Sequence, residues 1–125
     1  MNVEEYKRIS KSSGRKNKYN AKKTEYNGVL YDSKKEAQFA RDLDLAKHAK
    51  NIKERVISWE RQVPYKFVYE GRYIFTYKLD FRVHYANNIV KNYDVKGYKK
   101  GSAYALFRLK KKLVQAQHTI VIDEI

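Results

Sequence analysis

Apolar and polar residues alternate most regularly between Tyr77 and Gly97. Tyr77, Leu79, Phe81, Val83 and Tyr85 alternate with Lys78, Asp80, Arg82 and His84, the period of two that marks a strand with one apolar face. After Ala86-Asn87-Asn88, Ile89, Tyr93 and Val95 fall on one side and Val90, Asn92, Asp94 and Lys96 on the other. This spacing predicts two strands joined as a hairpin. Asp80 then points away from the apolar face, and Asp94 and Lys96, two residues apart, share a face.

Earlier in the chain, Glu25 to Tyr31 is expected to form two short strand pieces about Asn27-Gly28, a dipeptide that accepts positive φ. A helix is expected next. Ser33-Lys34-Lys35-Glu36 fits a capping box, and Ala40, Leu43 and Ala46 recur at helical spacing beside Phe39. Val56 to Tyr69 alternates again, but Pro64 interrupts it, which predicts two short strands about a bend or an edge. Glu70-Gly71-Arg72 follows as a turn. Ser102 is the expected N-cap of a second helix, with Leu106, Leu109, Leu113 and Ala116 as its apolar face. Ile120-Val121-Ile122 is expected to close the chain as a buried strand. The predicted order is helix, three or four strands, helix, strand. The fold class is therefore α/β, one domain with a central mixed sheet flanked by helices.

Charge changes the picture. The 125 residues carry 28 Lys and Arg against 14 Asp and Glu, a formal charge of +14, which points to a polyanionic partner and above all to nucleic acid. Residues 1–23 hold eight of those cations against two glutamates. Having few apolar residues, they are expected to form a basic, flexible arm that neutralises phosphate and orders on binding, or else a solubilising tail. Residues 24–125 are expected to form the folded domain. No apolar run approaches the length of a membrane span and no signal-peptide core follows Met1, so a soluble, cytoplasmic protein is expected. The chain has no cysteine, which excludes disulfides, thiolate metal sites and cysteine nucleophiles. His48, His84 and His118 show no ligand spacing.

The chemistry concentrates in the 77–97 hairpin. Asp80, Asp94 and Lys96 brought onto one patch would suit a hard divalent cation, with the lysine beside a cation-adjacent water. Ordinary solvated residues on an exposed hairpin face fit the same spacing, just as Glu36 is explained by helix capping and Glu60 and Gln62 by exposed strand positions.

An acidic residue on the first helix, an isolated Asp on one strand, and Asp-x-Lys on the next followed by a basic helix together resemble the PD-(D/E)xK nuclease superfamily. From Tyr26 onward the chain looks like a family of small phage-encoded proteins of that superfamily, on the strength of Asp32-Ser33-Lys34-Lys35-Glu36-Ala37 and Asp94-Val95-Lys96-Gly97. Leu79 stands where the superfamily name has proline, and Asp94 where glutamate is more usual. The resemblance implies a restriction-endonuclease-like core in α-β-β-β-α-β order. It implies that Asp80 and Asp94 bind Mg2+ or Mn2+ with the Val95 carbonyl, that Lys96 positions the attacking water, and that Glu36 completes the site, through water or at a second ion. Such an enzyme would cleave DNA, as a four-way (Holliday) junction resolvase acting as a homodimer, in the host cytoplasm if phage-encoded. Lys16, Lys18, Lys22, Lys23, Lys34, Lys99, Lys100, Arg108, Lys110, Lys111 and Lys112 are the expected phosphate contacts. Tyr65, Tyr69, Tyr73 and Tyr77 could supply a dimer interface or merely half-buried strand packing. A basic nucleic-acid-binding protein without catalysis stays open beside the nuclease.

Overall fold

In a computed structural model of the chain, residues 23–97 and 99–125 are described. The elements run β1 (Thr24–Tyr26), β2 (Val29–Tyr31), α1 (Lys34–Ala46), β3 (Val56–Tyr69), β4 (Arg72–Tyr85), β5 (Val90–Asp94), α2 (Gly101–His118) and β6 (Ile122–Glu124). The chain divides within α1, between Gln38 and Phe39. The basic arm expected over residues 1–23 lies outside the described residues except for Lys23.

In the N-terminal unit, β1 and β2 pair antiparallel around Asn27 and Gly28, whose φ values of 53° and 80° are those a two-residue hairpin loop demands. Ser33 Oγ accepts the Glu36 N–H at 3.1 Å, so the expected cap starts α1. Lys23 and the exposed Asp32 lie 3.5 Å apart.

The unit from Phe39 onward holds a four-stranded mixed sheet in the order β3-β4-β5-β6, antiparallel except for the parallel β5–β6 pair. A parallel pair needs a crossover, and α2 supplies it. The α/β class and mixed sheet expected from the sequence are present.

Four expectations are corrected. The two short strands expected about Pro64 are one: Pro64 pairs with Lys78 within a single 14-residue strand, and of the bend and the edge left open at that proline it is the edge that is found. The irregular point is Gln62, which stands across from Asp80, falls out of the ladder and has φ 55°. The last strand is Ile122–Glu124 rather than 120–122, with Ile122 buried and Val121 exposed. Helix α2 starts one residue before Ser102; its N-cap is Lys100, with no side-chain cap bond. Finally, Leu106 and Leu109 are 52% and 54% exposed. The inward stripe of α2 is Tyr104, Phe107, Lys111 and Val114.

From Tyr77 to Val83 the odd-numbered face of β4 is buried as its alternation predicts, but it changes partners at Asp80. Tyr77 and Leu79 pack with Val114 and Ile122, whereas Phe81 meets Phe39 of α1 edge-on at 5.0 Å and Trp59 at 5.6 Å. Trp59 also donates to Asp44 Oδ1 at 2.8 Å, tying β3 to the second half of α1. Among the described residues, no helix is long and apolar enough to cross a membrane.

Candidate functional site

The site forms where β4 and β5 part. Their last registered pair is Phe81 with Tyr93; one step further, Asp80 and Asp94 stand opposite each other. Backbone groups that lose their ladder partners need new ones, and the two carboxylates provide them. The Asp80 N–H donates to Asp94 Oδ1 at 3.0 Å, and the Val95 N–H donates to Asp80 Oδ2 at 2.9 Å. From the other side the C-terminus holds the same segment: the Ile125 N–H donates to the Asp94 carbonyl at 2.9 Å and the Lys96 N–H to the Ile125 carbonyl at 3.1 Å. Backbone on both flanks thus fixes residues 94–96.

Asp94 is 2% exposed, and the Tyr77 hydroxyl donates to its Oδ2. Burial pushes its carboxyl up to about 6, against the pull of the Asp80 N–H, Lys96 and Lys111 and with a further push from Glu124. The positive charge nearby is therefore insufficient to offset what burial takes from the ionised form.

Asp80, Asp94 and Lys96 open onto one cleft of about 320 Å3, walled by β4 around Thr76–Lys78 and by α2 at Leu106, Phe107 and Lys110. Lys96 Nζ sits 3.8 Å from the Phe107 ring centroid, a cation–π distance. Phe107 also stacks on Tyr77, 6.1 Å between centroids. One ring of α2 thereby orients both the lysine and the tyrosine that holds Asp94. Neither Tyr77 nor Phe107 was legible as a site residue. Alternation put Tyr77 on the face opposite Asp80, and only the change of partners at Asp80 brings its hydroxyl to Asp94.

Beside the cleft, Glu124 accepts from Lys111 Nζ at 2.8 Å and from the Tyr104 hydroxyl at 2.6 Å. Burial works against its charge, but the hydrogen bonds from Lys111 and Tyr104 outweigh it and leave the carboxyl below its ordinary value.

The remaining expected residues distribute as follows. Glu36 belongs to the N-terminal unit, buried in the first turn of α1 with its amide capped by Ser33. Val95 is buried and its amide is engaged by Asp80. Among the expected phosphate contacts, Lys110 lines the cleft, Lys111 is held by Glu124, and Lys34, Lys99, Lys100, Arg108 and Lys112 are exposed. Lys16, Lys18 and Lys22 lie outside the described residues. Glu60 pairs with Arg82 at 3.1 Å and His84 at 3.5 Å, away from the cleft. Among the described residues no cluster of three or more His, Cys, Asp or Glu side chains is assembled for a metal ion.

Fold and site together define an α/β protein with two carboxylates and a lysine gathered at the parting of two strands. The chain belongs to the family described as protein of unknown function (DUF1064), whose model matches residues 16–123. No curated protein and no solved structure matches it.

Proposed function

We propose that this protein is a metal-dependent endonuclease that hydrolyses phosphodiester bonds in DNA, in the manner of the PD-(D/E)xK nucleases. The observation that carries the reading is the opening of Asp80, Asp94 and Lys96 onto one cleft in a chain of charge +14. The donors fit Mg2+ or Mn2+: they are hard oxygens, and Asp94 is a buried carboxylate whose charge is under-compensated. Asp80 and Asp94, with the Val95 carbonyl, would hold the ion. When bound, such an ion neutralises charge on the phosphate and lowers the pKa of a coordinated water.

The chain's own residues have separable tasks. Tyr77 and the Asp80 N–H hold the Asp94 carboxylate in one orientation. Lys96, resting on Phe107, orients the attacking water or a phosphate oxygen by hydrogen bonding. Lys110 at the cleft wall and the exposed cations of α2 neutralise flanking phosphates. The preferred substrate on this reading is a four-way junction cut by a homodimer, since a symmetric junction needs two matched incisions.

A second reading has its own support. The reciprocal bonds of Asp80 and Asp94 to backbone amides fit a purely structural task, leaving a basic protein that binds nucleic acid without cutting it. One experiment separates the two. Incubated with a four-way junction and a linear duplex of the same arms, with Mg2+ or with EDTA, the protein should cut only with Mg2+, and the junction in paired strands. Tight binding with no Mg2+-dependent product would leave the binder.

A further inference from the structure

The β3–β4 hairpin reaches well past the end of β5, and its far half carries large apolar side chains in the open on both of its faces. Tyr69 is 62% exposed, Tyr73 60%, Ile74 52% and Val68 37%. The turn at Glu70 and Gly71, with φ 49° and 79°, folds the strands back tightly and sets Tyr69 across from Arg72 and Val68 across from Tyr73. Opposite residues share a face, so Tyr69 and Arg72 lie on one face of the hairpin and the Val68–Tyr73 strip lies on the other. Lys66, Arg72 and Lys78 are exposed along the same hairpin, with Glu70 the one acidic residue of the segment 66–78. The strip adjoins the candidate cleft: Tyr73 shares a 2.8 Å hydrogen bond with Thr76 Oγ1, and Thr76 lines the cleft.

We infer that this hairpin is a stacking platform for unpaired bases, so that the nucleic acid serving the cleft carries single-stranded or opened nucleotides beside the scissile region. The inference rests on the nucleic-acid-binding part of the proposed function and is independent of cleavage. A flat, exposed ring on each face of the hairpin, along a segment rich in cations, suits unpaired bases, which offer a π-face to any ring and a phosphate to any lysine or arginine. Bases within a duplex are already stacked on their neighbours and show only their edges.

A second copy of the chain is the competing occupant, and two features disfavour it. Like charges from Lys66, Arg72 and Lys78 would meet across such an interface. The free edge of β3 is also closed to strand addition where the strip lies. Gln117 at the end of α2 accepts the Val68 N–H at 2.8 Å and donates to the Val68 carbonyl at 2.6 Å, while His118 Nε2 lies 2.8 Å from the Lys66 carbonyl. A capped edge cannot template another strand.

The test is binding of the full chain, in EDTA, to a single-stranded oligothymidylate and to a blunt duplex with the same number of phosphates. Tyr69→Ala combined with Tyr73→Ala should weaken oligothymidylate binding by about tenfold or more and duplex binding by less than about twofold. Tyr69→Phe with Tyr73→Phe, which keeps the rings, should bind within about twofold of the parent chain. If the double alanine chain does not unfold cooperatively, Tyr69→Ala alone carries the comparison. Equal loss on both nucleic acids, or no loss, overturns the inference. A parent chain that is a dimer and an alanine variant that is a monomer overturn it too, giving the strip to a second copy. Selective loss of single-strand binding in a chain that never cuts DNA upholds the platform and sinks the nuclease. Mg2+-dependent cutting with single-strand binding intact in the alanine variant does the reverse.

Discussion

Asp94 and Glu124 face each other across the parallel β5–β6 pair, one position apart in the sheet and opposite in circumstance. Glu124 has a lysine and a tyrosine within 2.8 Å and a carboxyl held below its ordinary value. Asp94 is 2% exposed at the edge of the cleft, takes its hydrogen bonds from neutral donors, and has its carboxyl pushed up to about 6. The comparison separates a carboxylate whose environment completes it from one whose environment leaves charge uncompensated. Groups of the second kind collect at functional sites, where the missing charge comes from a ligand or substrate. Asp94 is therefore the residue on which to test function, and Glu124 the control for stability.

The largest expected difference is in catalysis. Asp94→Asn and Asp80→Asn should each lower Mg2+-dependent cleavage by about a hundredfold or more while DNA affinity, measured in EDTA, stays within about twofold. Loss of cleavage and affinity together would return both carboxylates to structure alone. Glu124→Gln tests the same comparison from the other side: its defect should register in unfolding rather than in cleavage per folded molecule.

Stability against pH should show the opposition directly. Asp94 binds its proton more tightly folded than unfolded, so its contribution is most favourable below about pH 4. It falls as pH rises toward about 6, then stays flat, a total of about 3 kcal/mol. Asp94→Asn removes this loss. Urea unfolding should show the variant gaining on the parent chain through that window and remaining ahead at pH 8, a stability gain bought at the expense of function. Glu124 has the reverse sign: its stabilisation is present above its ordinary value and is lost as pH falls through the lower folded value. If the Asp94→Asn and parent curves run parallel, Asp94 carries no buried, uncompensated charge.

A smaller effect is expected from Lys111→Met, which keeps the aliphatic stem on the inward stripe of α2 and removes the ammonium from Glu124. Partly buried charged hydrogen bonds contribute about 1 to 3 kcal/mol, less where solvent reaches them. A loss near the lower end, read as a shift in urea midpoint with unchanged slope, is expected. No loss would mean that Tyr104 alone suffices to hold Glu124.

Local signals determined a good part of this molecule from the sequence. The Asn27-Gly28 loop, the Ser33 cap, the alternation of β4 and the shared face of Asp94 and Lys96 all depend on neighbours within a few residues, where backbone sterics and hydrogen bonding act without help from the rest of the chain. Asp80, Asp94 and Lys96 were legible as one cluster because antiparallel pairing makes opposite residues share a face. What failed needed knowledge of which surface meets which. Periodicity alone could not choose between the leucine stripe of α2 and the adjacent stripe of Tyr104, Phe107, Lys111 and Val114. Lysine counts as polar by composition, yet its stem packs inward when its ammonium finds Glu124. Pro64 left a bend and an edge both open, because its edge position is decided only once β3 is the outermost strand. Tyr77 joined the site only because β4 changes partners at Asp80, and the charge on Asp94 is under-compensated because the fold buries its carboxylate beneath the Tyr77 hydroxyl. Those outcomes arise from contacts between residues far apart in the chain, and burial, the quantity that shifts Asp94, is a property of the packed structure alone.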